Sequence, residues 1–234
     1  MIFDKNIVKA KFVSRPNRFQ AYVYINNSKT MVHVPNTGRC KEILLPGTTV
    51  ILREENNPTR KTKYDLIAGY KGNRLINIDS QIPNKVVDEA LKQNKIDYFK
   101  RYIKIEREKT FGNSRFDFKL GDKEDKRCYL EVKGVTLEKD GITMFPDAPT
   151  ERGRKHLLEL VRVKKLGLDA AVLFLIQMRG VRYFRPYDEM DEKFGEDLRY
   201  AKQNNVKIFA YDCDVGEHFI TLRDEVRVQL SSNS

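Results

Sequence analysis

Apolar and polar positions alternate with a period of two through most of the first third of the chain, and longer, helix-like spacings enter only afterwards. Ile7 to Phe12, Phe19 to Ile25 and Thr30 to Val34 are short runs rich in β-branched and aromatic residues. They predict three strands, with Asn26-Asn27 as a hairpin turn between the last two. After a turn at Pro46-Gly47, the stretches Thr48 to Leu52, Tyr64 to Gly69 and Leu75 to Ile78 bring the count to five or six. A small sheet of that size closes most simply as an OB-like barrel, a fold that commonly binds single strands or oligosaccharides. Phe19, Tyr22 and Tyr24 lie close to Arg15 and Arg18 in sequence. The pattern leaves open whether these aromatics fill the barrel core or stand outside it as stacking platforms for bases. His33, in the strand-like Val32-His33-Val34, reads as a packed histidine.

From residue 84 the pattern changes. Asn84 is a suitable N-cap for a helix through Val87, Ala90 and Leu91. Tyr102 to Glu108 alternates, with Ile103 and Ile105 expected inward and Lys104, Glu106 and Glu108 outward. Phe116 and Phe118, then Leu130 and Val132, predict two strands joined by a polar turn at Gly121-Asp122. Another hairpin follows, from Val135 to Leu137 and Ile142 to Phe145. Thr150 caps a helix from Glu151 to Leu166, with Leu157, Leu158 and Val161 inward and Gly167 closing it. Ala170 to Gln177, continuously apolar through Ile176, reads as a strand covered on both faces. A helix carrying Phe194, Leu198 and Ala201, a strand from Val206 to Tyr211 and an edge strand from Phe219 to Leu222 complete the chain. The expected fold class is therefore two-domain α/β (α+β). Residues 1–83 form an OB-like β-barrel, and residues 84–234 a restriction-endonuclease-like mixed sheet flanked by helices.

Charge sharpens this division. The 234 residues carry 44 Lys and Arg against 33 Asp and Glu, a net of +11. Through Lys85 there are 15 basic and 6 acidic residues, and after it 29 and 27, so the excess sits in the first domain. A basic domain with interleaved aromatics points to nucleic acid. Cys40, Cys128 and Cys213 are too few and too scattered for a disulfide framework or a zinc knuckle, which suits a cytoplasmic protein. The first residues lack the apolar core of a signal peptide, and no apolar run is long enough to span a bilayer, so no membrane association is expected.

Candidate chemistry concentrates between Ser114 and Lys133. Side chains alternate along a strand, so if the Phe and Leu/Val set faces the core, Arg115, Asp117 and Lys119 share a face with Tyr129, Glu131 and Lys133. Carboxylate oxygens are hard ligands suited to Mg2+ or Mn2+. A lysine two residues beyond the second acid could orient a water or stabilise charge on a phosphorane-like transition state. A solvated sheet face with cross-strand ion pairs would show the same pattern. Glu106 and Glu108 are candidates for a third acid. Arg152, Arg154 and Lys155 crowd a helix start, against the dipole, which a bound phosphate there would explain. His156 either assists or packs. In His33 to Arg39, a turn at Pro35, Asn36 and Gly38 would present Arg39 and backbone N–H groups to a phosphate.

Arg18-Phe19, HVPNTGR at His33 to Arg39, SRFDF at Ser114 to Phe118, YLEVKGVTL at Tyr129 to Leu137 and FPDAPTERGRKHLLEL at Phe145 to Leu160 together resemble the sugar fermentation stimulation protein (SfsA) family. The resemblance covers nearly the whole chain and implies an OB-like DNA-binding domain followed by a PD-(D/E)XK nuclease-like domain. It implies Asp117 and Glu131, with the Val132 carbonyl, as holders of Mg2+ or Mn2+, Lys133 as the catalytic lysine, and Glu108 or Glu106 as the upstream acid. Arg115, Thr150, Arg152, Lys155 and His156 would meet substrate, while Arg15, Arg18, Phe19, Asn36 and Arg39 would bind DNA from the barrel. Gly134 stands where the family pattern implies serine. The implied function is a DNA-binding protein that hydrolyses phosphodiesters, a metal-dependent deoxyribonuclease acting on single- or double-stranded DNA. The alternative is a DNA-binding transcriptional regulator of sugar-utilisation genes that does not cut. RNA as the ligand, and a homodimer as the assembly, are left open.

Overall fold

In the computed structural model, which describes residues 1–231, the first third of the chain folds as predicted into strands. These are β1 (Ile7–Asn17), β2 (Gln20–Ile25), β3 (Ser28–His33), β4 (Thr49–Glu54), β5 (Tyr64–Lys71) and β6 (Arg74–Asn77). They form one sheet in the order β3-β2-β1-β4-β5-β6, which curls until β3 meets β5 at His33 and Asp65. The β2–β3 turn is made by Asn26 and Asn27 at φ 47° and 65°, the left-handed pair that a two-residue hairpin requires. Ala21, Val23 and Val32 point into the curled sheet, so Tyr22 and Tyr24 face outward. That resolves the alternative left open by the sequence: these aromatics are not core.

The remainder contains α1 (Ile82–Lys92), β7 (Lys104–Phe111), β8 (Ser114–Gly121), β9 (Arg127–Val135), β10 (Leu137–Lys139), β11 (Ile142–Phe145), α2 (Glu151–Lys165), β12 (Asp169–Ile176), β13 (Tyr183–Pro186), α3 (Glu192–Gln203), β14 (Lys207–Val215) and β15 (Ile220–Glu225). A mixed six-stranded sheet runs β15-β14-β12-β9-β8-β7, with β12 parallel to both β9 and β14. Its central strand β12 is buried along almost its whole length, as its unbroken apolar run demands. Val86 and Val87 of α1 cover one face with Leu130 and Val132, while Leu157 and Leu160 of α2 cover the other with Val172 and Phe174. Cys40, Cys128 and Cys213 are free and buried. Among the described residues no helix is long and apolar enough to cross a membrane.

Several expectations need correction. Asn84 is not an N-cap: α1 starts two residues earlier, after Gln81, with Pro83 in its first turn, where the missing N–H costs nothing. Ile103 precedes β7 and is 64% exposed, because the turn at Phe99 to Tyr102 fills the core instead. Leu158 is 39% exposed, its place taken by Leu160. Strand β13, parallel to β11 in a small second sheet, was not anticipated.

The two parts meet through polar contacts at the end of β12. The Gln177 amide nitrogen donates to Asn77 Oδ1 at 2.9 Å and to the Asp79 carbonyl at 3.2 Å, while Asn77 N donates to the Gln177 carbonyl at 3.0 Å. Gly134 lies under this knot. A Cβ there would sit 2.5 Å from Gln177 Oε1 and 2.7 Å from Pro83 Cγ, so the serine implied by the family pattern has no room. Gly134→Ala is therefore expected to displace Gln177 and lower unfolding stability by about 1–2 kcal/mol. A urea midpoint equal to that of the parent would show that the knot yields freely.

Candidate active site

Strands β8 and β9 pair antiparallel from Gly121–Arg127 to Phe118–Leu130, and beyond that point a side chain replaces the backbone partner. Asp117 Oδ2 accepts the Val132 N–H at 2.8 Å, and its Oδ1 accepts from the Asn84 amide of α1 at 2.7 Å. Glu131, on β9, is 3% exposed and faces α2. Its Oε1 accepts from the Lys133 ammonium at 2.6 Å and bonds to Nδ1 of the buried His156. Its other oxygen, Oε2, is buried with no donor among the described residues. The site thus combines two acids and a lysine from β8 and β9 with one positioning side chain from each flanking helix.

The electrostatics of the two acids differ. Burial is the largest influence on Asp117 and the nearby Glu131 charge adds to it, so its carboxyl is pushed up to about 6 against the pull of Val132, Asn84 and Lys133. For Glu131, burial pushes upward, but the His156 hydrogen bond and the Lys133 charge outweigh it and hold the carboxyl below its ordinary range. A pair of acids whose environments separate their titrations is common at reaction centres.

The surrounding candidates divide. Among the described residues no third His, Cys, Asp or Glu joins the pair in a group able to hold a metal. Glu108 lies within β7 at φ 54°, exposed and paired with Arg115 at 2.9 Å, whereas Glu106 pairs with Lys109 at 3.0 Å and Lys119 at 3.4 Å. Thr150 is the N-cap of α2, its hydroxyl accepting from Gly153 N at 3.0 Å. Two of the three cations at the helix start are engaged: Arg154 pairs with Asp197 at 2.8 Å and Lys155 donates to the Asn113 carbonyl at 2.8 Å. Arg152 remains exposed, with no bonded partner among the described residues.

On the N-terminal sheet both terminal nitrogens of Arg15 are engaged, while its Nε is buried with no partner among the described residues. Its guanidinium donates to the carbonyls of Gly38 at 2.7 Å, Arg39 at 2.9 Å, Arg18 at 2.7 Å and Asn36 at 2.6 Å. Asn36 is likewise internal, donating to the Ile78 carbonyl at 2.6 Å and accepting from Gly38 N at 2.6 Å. These two residues build the turn, leaving Arg18, Phe19 and Arg39 on the surface. Phe19 is 52% exposed with the Arg18 guanidinium 5.6 Å from its ring centre, beside a groove of about 450 Å3 that Lys41 also lines.

Asn84 and Gln177 escaped the sequence reading because local signals do not report on partners: one looked like a cap, the other like the end of an apolar strand. The fold and site define an OB-like sheet joined to a restriction-endonuclease-like domain with a buried glutamate, a half-buried aspartate and a lysine. Comparison with known proteins carries this to a family. Residues 13–78 match the family model described as the SfsA N-terminal OB domain, and residues 81–219 that of the sugar fermentation stimulation protein RE domain. The chain belongs to the sugar fermentation stimulation protein family. It is 76% identical over 230 residues to the sugar fermentation stimulation protein homolog of Clostridium kluyveri and 66% identical to that of Clostridium tetani, covering 98% of this chain and 100% of each relative. Pyrococcus furiosus SfsA, solved in complex with Ca2+, superposes with a TM-score of 0.88 at 26% identity, over 98% of this chain and 99% of that one.

Proposed function

We propose that this protein is a divalent-metal-dependent nuclease acting on DNA, with Asp117, Glu131 and Lys133 as its reactive set. The observation that carries the reading is Glu131 Oε2, a buried oxygen of a carboxylate held ionised, with no donor among the described residues. An orphaned anionic atom is costly unless something outside the chain satisfies it. Hard oxygen donors suit Mg2+ or Mn2+, and the P. furiosus relative was solved with Ca2+. Asp117 and Glu131, with the Val132 carbonyl, would hold the ion, and the remaining positions would fall to water and phosphate. Such an ion supplies Lewis acidity toward a phosphate oxygen.

The chain's own groups do the rest. Asn84 and the Val132 N–H fix the Asp117 carboxylate in one orientation, and His156 does the same for Glu131 from behind. The Lys133 ammonium, anchored on Glu131 Oε1 at 2.6 Å, has further donors with which to orient the attacking water or meet charge growing on the phosphate. Arg152 and the α2 N-terminus supply positive potential for a neighbouring phosphate. Arg18, Phe19 and Arg39 extend the nucleic-acid path along the N-terminal sheet by phosphate contact and base stacking. The test is incubation of labelled single- and double-stranded DNA with the protein and its Glu131→Gln variant, in Mg2+, Mn2+ and EDTA. Metal-dependent cleavage by the parent alone supports the reading, and no cleavage by the parent in any metal removes it.

A second reading, DNA binding without cleavage by a regulator of sugar-utilisation genes, draws on there being, among the described residues, two acids at the site where three would hold an ion more firmly. Both readings make the same demand of the basic surface. Arg18→Ala with Arg39→Ala is expected to weaken binding several-fold and to lower the slope of log K against log salt by about 1–2. An unchanged slope would move the binding face elsewhere.

A further inference from the structure

Residues of three motifs that the proposed mechanism leaves without a role meet in one cavity. It has a volume of about 150 Å3 and lies at the junction of the two parts, where Thr37 and Gly38 of the turn after β3 face Thr136, Asp147 and Gln177. Phe145 forms an apolar wall. Gly134, which immediately follows Lys133 on β9, also lines it, so the cavity begins within about one strand residue, roughly 3 Å, of the reactive lysine's backbone.

Its chemistry is that of a hydrogen-bond acceptor. Asp147 is half-buried, and among the described residues no donor or cation is bonded to its carboxylate. It packs on the Gly38 α-carbon so closely that a Cβ there would stand 2.4 Å from Asp147 Oδ2. Gln177 Oε1 is a second acceptor, since only the amide nitrogen of that side chain is engaged. The hydroxyls of Thr37 and Thr136 can donate. A phosphate would be repelled here, and among the described residues no group of three ligating side chains offers a metal site. A space near 150 Å3 is the size that accepts one planar ring system rather than a whole nucleotide.

We propose that this cavity receives one unpaired base of the DNA next to the reactive phosphate, and that it is built for guanine. Among neutral bases guanine alone presents two adjacent N–H donors on its pairing edge, N1–H and N2–H, which the two oxygens of one carboxylate accept together. The base must leave its stack to offer that edge, so substrates with a bulged or single-stranded guanine are favoured. Thr37 and Thr136 supply donors for O6 and N7. The inference rests on DNA being the ligand of the neighbouring site.

The test is fluorescence anisotropy in EDTA with hairpin oligonucleotides identical except for one unpaired position carrying guanine, hypoxanthine, adenine or no base. The parent is expected to bind the guanine hairpin at least about tenfold more tightly than the abasic one, with hypoxanthine, which lacks N2–H, in between. Asp147→Asn is expected to lose the guanine preference and keep the abasic affinity, which also shows that the variant is folded. Equal binding of all four by the parent overturns the cavity's role and leaves the DNA reading standing. Failure to bind any of them overturns both. Guanine preference retained by Asp147→Asn overturns the role of the carboxylate, and if that variant does not fold, the parent's guanine and hypoxanthine affinities still decide.

Discussion

Lys133→Met is expected to lower metal-dependent DNA cleavage by about 10^2–10^3-fold while leaving affinity for the same DNA in EDTA within a factor of about two. Methionine keeps the length of the lysine stem and removes the three donors. The ammonium stands 2.6 Å from Glu131 Oε1, and its charge is one of the influences holding the Glu131 carboxyl below its ordinary range. Without it, burial pushes that carboxyl upward with only His156 opposing, so the acidic limb of the residual rate is expected to move to higher pH. The direction follows from the sign of the lost interaction: an acid deprived of a neighbouring cation holds its proton more tightly. Single-turnover cleavage across pH, with binding measured in parallel, checks both parts. Affinity falling in step with the rate would make Lys133 a phosphate-binding residue instead, and an unshifted acidic limb would detach it from Glu131.

How much of this was legible in the sequence depended on whether the signal was local. Alternation at Phe116, Phe118, Leu130 and Val132 located β8 and β9 and put Asp117, Glu131 and Lys133 beside one another, because a period of two is a property of the strand itself. The apolar run from Ala170 located the buried β12 for the same reason. Partners brought by tertiary packing were not legible. Asn84 carries the signature of a cap and is in fact a donor to an acid 33 positions later, since α1 begins before it and turns it toward β8. Arg15 has the composition of a phosphate contact, yet four carbonyls consume its guanidinium. Arg154 and Lys155 appear as free charge at a helix start until α3 and the β7–β8 turn supply Asp197 and the Asn113 carbonyl. In each case the residue type was informative about capacity, and only the fold determined whether that capacity was already spent.

Asp117→Asn is expected to make the metal-free protein more stable than the parent at neutral pH, by up to about 3 kcal/mol, even though it removes the metal response. The folded parent holds this carboxyl at about 6, against 3.8 as the ordinary value. A folded-state value raised above the unfolded one contributes stability that is complete below about pH 4 and is lost as pH rises through about 6, because ionising a buried acid beside Glu131 is unfavourable. Asparagine does not ionise, so the stability difference between variant and parent should grow from about pH 4 to about 6.5 and stay level above it. Taking this difference removes the part of the opposing Glu131 trend that does not depend on the Asp117 charge. The full amount is reached only if the Asn84 amide turns over, since the introduced amide presents one acceptor and one donor where the Asp117 carboxylate had two acceptors. Thermal melts in EDTA across the acidic-to-neutral range measure the window, and addition of Mn2+ at slightly alkaline pH should raise the parent's Tm and leave that of the variant unchanged. An offset independent of pH would mean that Asp117 ionises without penalty. A Mn2+ response equal in both proteins would place the ion elsewhere.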